Sequence, residues 1–254
     1  MFSAKGIRQE QLRKTCLFFC LDDVLVPGQV VRKVDSGAVE EILSNLTTLE
    51  MGFDFEKHLL ISSSQDKSME RLEASGLAGY FQQTNIHSVT GSYVQGMQEL
   101  DRKRYLEALE KDPAFKDEYF KQVAIQNHLV VSGIPAEKMA LIGHDLWTDG
   151  YYTRLVSRID FALLKDAVSE RNQKPLQMIK GLTYIKRDWK DVWKLILGKL
   201  PAPSYGAFDT FCYARMRKQL IGDTILTGKV NRLPSAGGFP SPGPQEPGEA
   251  SVKL

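Results

Sequence analysis

Three short polar clusters in the chain carry residue types that can do chemistry. They are Cys20-Leu21-Asp22-Asp23, Ser62-Ser63-Ser64, and Gly143-His144-Asp145 with Asp149 four residues beyond Asp145. A cysteine becomes a nucleophile or a soft metal ligand once its thiol loses a proton. Carboxylates move protons and hold hard cations. Serine hydroxyls cap helices or bind anions. Each cluster begins where a short apolar run stops, which places each at the end of a buried strand.

The elements that must position these clusters read as alternating strands and helices. Thr15–Phe19, His58–Ile61, Met139–Ile142 and Ile159–Leu164 are short buried strands, with a weaker one near Ile86–Val89. Ser36 is an N-cap, and Val39, Ile42, Leu43, Leu46 and Leu49 fall on one helical face after it. A second helix starts near Asp66 and stops at Gly76. Further helices lie around Tyr105, after Pro113 with Phe115, Phe120, Val123 and Leu129 inward, and along Trp189, Val192, Trp193 and Ile196. A last one covers Phe208 to Leu220. Such alternation implies an α/β fold with a parallel sheet and helices on both faces. In such sheets the site lies at the carboxyl ends of the strands, where the three clusters fall.

Composition narrows the function classes. The 254 residues hold 33 Lys+Arg against 31 Asp+Glu, a net charge of +2, so the chain lacks the basic excess of a nucleic-acid or anionic-membrane binder. Cys16, Cys20 and Cys212 are too few and too scattered for a disulfide framework. The longest apolar stretch near the start, Cys16 to Cys20, is too short for a signal-peptide core. No run reaches the roughly 20 apolar residues of a membrane span. A cytoplasmic protein is expected. His58, His87 and His128 have no partners at ligand spacing in the sequence.

The three clusters, in this order, resemble the motifs of the haloacid dehalogenase (HAD) superfamily, most of whose members are phosphatases. Leu17-Phe18-Phe19-Cys20-Leu21-Asp22-Asp23-Val24-Leu25 is similar to the strand ending in Asp, any residue, Asp. Leu59-Leu60-Ile61-Ser62 is similar to the strand ending in Ser or Thr. Gly133-Ile134-Pro135, Lys138 and Leu141-Ile142-Gly143-His144-Asp145 with Asp149 resemble the approach to the final acidic motif. The resemblance implies a HAD-like Rossmannoid core over residues 14–198. Around it stand an N-terminal extension over 1–13, a helical extension over 199–232 and a disordered Pro/Gly-rich tail over 233–254. Space for only a small or absent cap implies an open site.

By that resemblance the first Asp attacks phosphorus, the Asp two residues on acts as acid and base, the Ser binds the phosphoryl group, a Lys offsets its charge, and the last carboxylates hold Mg²⁺. Here Cys20 stands at the attacking position and Asp22 at the acid/base position. Ser62 is the phosphoryl contact, while Asp145 and Asp149 are the metal ligands, with His144 in Asp145's place if no residue is inserted. Lys103 is the first choice for the lysine, Lys138 the second and Lys121 the third. Two neighbouring carboxylates disfavour a thiolate at Cys20, and sulfur is a poor Mg²⁺ ligand. In the ungapped register Cys20, His144 and Asp145 or Asp149 form a set better suited to Zn²⁺.

Three functions follow. One is a HAD-like protein with a degenerate phosphatase site that binds a small phosphorylated ligand or a protein partner. Another is an active, Mg²⁺-dependent phosphomonoester hydrolase with altered nucleophile chemistry. The third is a scaffold that recruits a partner through its C-terminal extension. Ser62–Ser64 also reads as a plain helix cap, and His144 as an ordinary loop histidine.

Overall fold

The computed structural model describes residues 7–26, 37–62, 65–89, 99–111, 115–150, 153–164, 182–186, 188–200 and 203–211, all within a unit spanning Met1–Tyr213. Six strands form one sheet: β1 (Cys16–Cys20), β2 (Glu56–Ile61), β3 (Ile86–Ser88), β4 (Met139–Gly143), β5 (Asp160–Leu164) and β6 (Thr183–Ile185). Their order is β3-β2-β1-β4-β5-β6, and every pair is parallel. This is the α/β architecture that the alternating pattern predicts. β6 is the strand it misses: three edge residues with Tyr184 exposed leave no readable period.

All five residues of β1 and all five of β4 are buried. Successive strand residues face opposite sides of a sheet, so both faces here are covered. The helices are α1 (Gly37–Gly52), α2 (Gln65–Ala74), α3 (Glu99–Lys111), α4 (Phe115–Ser132) and α5 (Lys190–Ile196). α1 buries Val39, Ile42, Leu43, Leu46 and Leu49, the stripe read from sequence. α2 ends as expected at Gly76, whose φ is +75°. Gly76 N–H donates to Glu73 O at 2.9 Å and Leu77 N–H to Leu72 O at 3.2 Å, the paired bonds of a Schellman cap. In α5, Val192, Trp193 and Ile196 are buried, as is Trp189 just before it.

Between β1 and β2 the described chain holds α1 alone. Residues 206–211 are helical, while the rest of the expected Phe208–Leu220 helix, like Ser36, Pro113, Cys212 and the 233–254 tail, lies outside the described residues. Leu12, from the first 13 residues, and Tyr205 and Phe208, from the segment after 198, are buried in the same core as the sheet. No helix among the described residues is long and apolar enough to cross a membrane.

Candidate functional site

β2 and β4 flank β1, and the order of connections reverses between β1 and β4. Ligands of open α/β sheets bind at such a reversal, outside the carboxyl ends of the strands. Cys20 pairs with Leu60, two residues before Ser62, and Phe19 pairs with Ile142, which places Gly143 beside the end of β1. The Cys20, Ser62 and His144-Asp145 loops therefore leave three adjacent strands at one edge. Ser62 is half-buried there, while Ser63 and Ser64 lie outside the described residues.

After Cys20 the chain turns back at once. Leu25 N–H and Val26 N–H both donate to Leu21 O, at 3.1 and 2.9 Å, and Asp23 N–H donates to Val26 O at 2.8 Å. The turn puts Asp23 at φ +60°, a left-handed conformation that Asp tolerates better than most residues. Asp22 sits in an ion pair. The Arg71 guanidinium on α2 holds both its oxygens, one contact being Nη1 to Oδ2 at 3.3 Å.

Asp149 is the pivot of the site. Its side chain is wholly buried, and the Lys121 ammonium of α4 lies 2.8 Å from Oδ1. The Cys20 thiol donates to the same oxygen at 3.6 Å. Oδ2 accepts from His144 N–H at 2.9 Å and Asp145 N–H at 3.2 Å, and His144 Nδ1 lies 3.2 Å from it. His144 Nε2 is 3.7 Å from Asp23 Oδ2. Burial alone would raise the Asp149 carboxyl, but the Lys121 charge, then His144, outweighs it and holds Asp149 well below the usual carboxylate range. For His144, burial acts downward, while its contact with Asp149 and the charges of Asp149 and Asp23 carry the imidazole above its ordinary value.

The loop that delivers Asp149 contains one extra residue per turn. Leu146–Gly150 is a π-turn: Asp149 N–H and Gly150 N–H both donate to Asp145 O, at 2.9 and 3.2 Å. That is the form an inserted residue takes in a helical loop, and it bears on the choice between His144 and Asp145 left open by sequence. Asp145 is buried, and its backbone rather than His144's anchors the turn. Gly143 makes the approach possible. A Cβ there would stand 2.6 Å from both Cβ and Oδ2 of Asp149 and 2.7 Å from Phe161.

Among the described residues, the lysine that meets this cluster is Lys121, the third choice from sequence. Lys103 is exposed on α3. Lys138 Nζ donates to Leu12 O at 2.9 Å, at the amino edge of the sheet. The signal for Lys121 is its place on α4: it lies on the same helical face as buried Ile125, four residues on. A cation on an apolar stripe needs a buried anion. Arg71 had no such signal, because its partner Asp22 lies 49 residues away in the turn after β1.

No family model matches the chain, and no curated protein matches it. A solved structure is similar: a conserved haloacid dehalogenase-like protein of unknown function from Agrobacterium tumefaciens str. C58. It aligns at 11% identity over 73% of this chain and 99% of that one, with a TM-score of 0.38.

Proposed function

We propose that the chain is a HAD-like protein whose phosphatase site has degenerated into a binding site, with weak or no turnover, for a small phosphorylated ligand. The observation that supports this best is the closed network around Asp149. The carboxylate faces Lys121, His144, two backbone N–H groups and the Cys20 thiol, so no oxygen is left poised for a cation.

Magnesium fits these residues poorly. The ion takes hard oxygen donors in near-octahedral geometry. Cys20 offers sulfur held as a hydrogen-bond donor, and Asp149 is spent on the lysine, which leaves Asp145 as the hard donor of the set. Cys20 and His144, the pair suited to zinc by type, contact opposite oxygens of the intervening carboxylate. An attacking carboxylate is missing, and the acid/base candidate Asp22 is clamped by Arg71. Losing the nucleophile of a covalent mechanism removes most of its rate, although positioning and electrostatics leave a remnant.

Recognition of a phosphoryl group rests on Ser62 and on the cations Lys121, His144 and Arg71. Each of these cations already faces a carboxylate, so a phosphate dianion must compete for it. Modest affinity follows. A cytoplasmic location accords with the few, scattered cysteines of the sequence.

The test is phosphate release from a generic phosphomonoester, with and without Mg²⁺, by wild type, Cys20→Ser and Cys20→Asp. Wild type, Cys20→Ser and Cys20→Asp should all stay near background, because Asp22 stays paired with Arg71 and Asp149 with Lys121 when a carboxylate returns at position 20. Inorganic phosphate should raise the wild-type melting temperature, as any binder of the native state does. Robust wild-type turnover would overturn the reading. If it survives Cys20→Ser the chemistry bypasses that residue, and if it does not the cysteine is a nucleophile.

A further inference from the structure

At the opposite, amino edge of the sheet lies a second cluster, one that no spacing in the sequence announces. Cys16 opens β1 and pairs in register with Glu56, which opens β2. Phe18 pairs with His58 in the same way. Strand residues two apart share a face, so Cys16, Phe18, Glu56 and His58 all point the same way. α4 lies against that face and brings in His128, whose ring centroid is 4.1 Å from that of His58. One donor atom from each of Cys16, Glu56, His58 and His128 can be chosen so that all four lie within 4.8 Å of one another. Three of the chain's four histidines meet here, because His87 on β3 adds its Nε2 at 3.1 Å from His58 Nδ1.

We propose that Cys16, Glu56, His58 and His128 form a structural zinc site that fastens α4 to the amino edge of β1 and β2.

Four donors of types S, O, N and N are the number and kinds that a tetrahedral Zn²⁺ takes. Bond lengths of about 2.0 Å to nitrogen and oxygen put tetrahedral donors roughly 3.3 Å apart. His58 Nε2 and His128 Nε2 lie 3.1 and 2.8 Å from Glu56 Oε2, near that spacing already. The His128 nitrogen is buried and makes no well-formed hydrogen bond, although the carboxylate is close. That geometry suits two ligands converging on a common point better than a donor and its acceptor.

Charge points the same way. A thiolate and a carboxylate together cancel the two positive charges of Zn²⁺, so the loaded site is neutral and its burial carries no net-charge penalty. The outer contact is also in order. With His58 Nε2 on the metal, its Nδ1–H donates to His87 Nε2, the kind of second contact that fixes the tautomer of a zinc-bound imidazole. The Glu56 side chain is 35% exposed and gives the ion a way in from solvent. Four protein ligands fill the coordination shell, which makes the site structural rather than catalytic.

The test uses full-length, tag-free protein, stripped with a chelator and then given one equivalent of Zn²⁺. Metal content by native mass spectrometry and melting temperature are read together. One zinc per chain and a higher melting temperature are expected for wild type, and retention of the metal for Cys20→Ser and His144→Ala. Cys16→Ser and His128→Ala should lose it, and His87→Ala should bind it roughly 10–100-fold more weakly. If the ligand variants fail to fold, Co²⁺ in the wild type decides, since one thiolate ligand gives a sulfur-to-cobalt charge-transfer band. Wild type that takes up no zinc, or cobalt without that band, overturns the proposal. So does zinc that survives Cys16→Ser and His128→Ala but is lost from Cys20→Ser.

Discussion

Replacing Lys121 with methionine keeps the length and packing of the side chain and deletes its charge. The ammonium sits 2.8 Å from Asp149 Oδ1, with the two side chains 6% and 0% exposed. At an effective dielectric of about 20, Coulomb's law gives that pair about 6 kcal/mol of attraction. His144 and two backbone N–H groups still face Asp149 in the variant, so the loss is smaller than the full figure. Breaking a buried pair from one side costs about 3–5 kcal/mol, and the same range is expected here.

Urea unfolding followed by the fluorescence of buried Trp189 and Trp193 measures it. Adding Asp149→Asn to Lys121→Met should restore part of the loss, because no uncompensated charge is then buried, and the cycle should give about 2–3 kcal/mol of coupling. The deficit also depends on pH. His144 has a folded-state value above its ordinary 6.5, so its stabilising contribution is complete below about 6.5 and is lost as pH rises through the raised value. With Lys121 gone, His144 is the remaining cation on Asp149 among the described residues. Lys121→Met should therefore lose less stability at about pH 5.5 than at about pH 8.5, both above the range where Asp149 itself takes a proton. A loss under about 1 kcal/mol, additive double variants, or a deficit that is flat with pH would refute the argument that cations hold this carboxylate.

Two further outcomes test the geometry around the sheet. Gly143→Ala should cost about 2–3 kcal/mol in urea, since its Cβ meets Asp149 and Phe161 below 3 Å, whereas Gly79→Ala, with nothing within 4 Å, should cost far less. Tyr205→Phe should cost about 1–3 kcal/mol and speed limited proteolysis of 203–211, because the hydroxyl accepts from Phe161 N–H at 2.9 Å and donates to Phe161 O at 3.1 Å.

The sequence discloses the elements far better than the contacts between them. Apolar runs such as Cys16–Cys20 and Met139–Gly143 are legible because central parallel strands are buried on both faces and need no alternation. The stripe of α1 and the stop at Gly76 are legible because periodicity and left-handed caps are local properties. The site was legible as three loops, since strand order places their ends together. Its wiring was not. Lys121 and Asp149 are 28 residues apart, and what joins them is the packing of α4 on the sheet. The amino-edge histidines were missed for the same reason: His58, His87 and His128 become neighbours through strand pairing and one helix crossing, which no linear spacing records. The π-turn after Asp145 lay between: an inserted residue was one of two registers the sequence left open, and the backbone shape was not readable at all.

One helix serves both edges of the sheet. Lys121 and His128 are seven positions apart on α4, two turns and about 10 Å along its axis. A helix is stiff in that direction, so its ends cannot slide independently. Gln122 pins it sideways, through Thr153 Oγ1 at 3.1 Å and Ser157 Oγ at 2.6 Å, to the chain just before β5. A ligand that drew His128 along the axis would carry the Lys121 backbone with it and so load the ion pair with Asp149. Thermodynamic linkage then runs both ways: the free energy by which occupancy at the amino edge alters binding at the carboxyl edge equals the free energy of the reverse effect. The two edges share no residue, yet α4 joins them through one rigid span, with Lys121 on Asp149 at one end and His128 on Glu56 at the other.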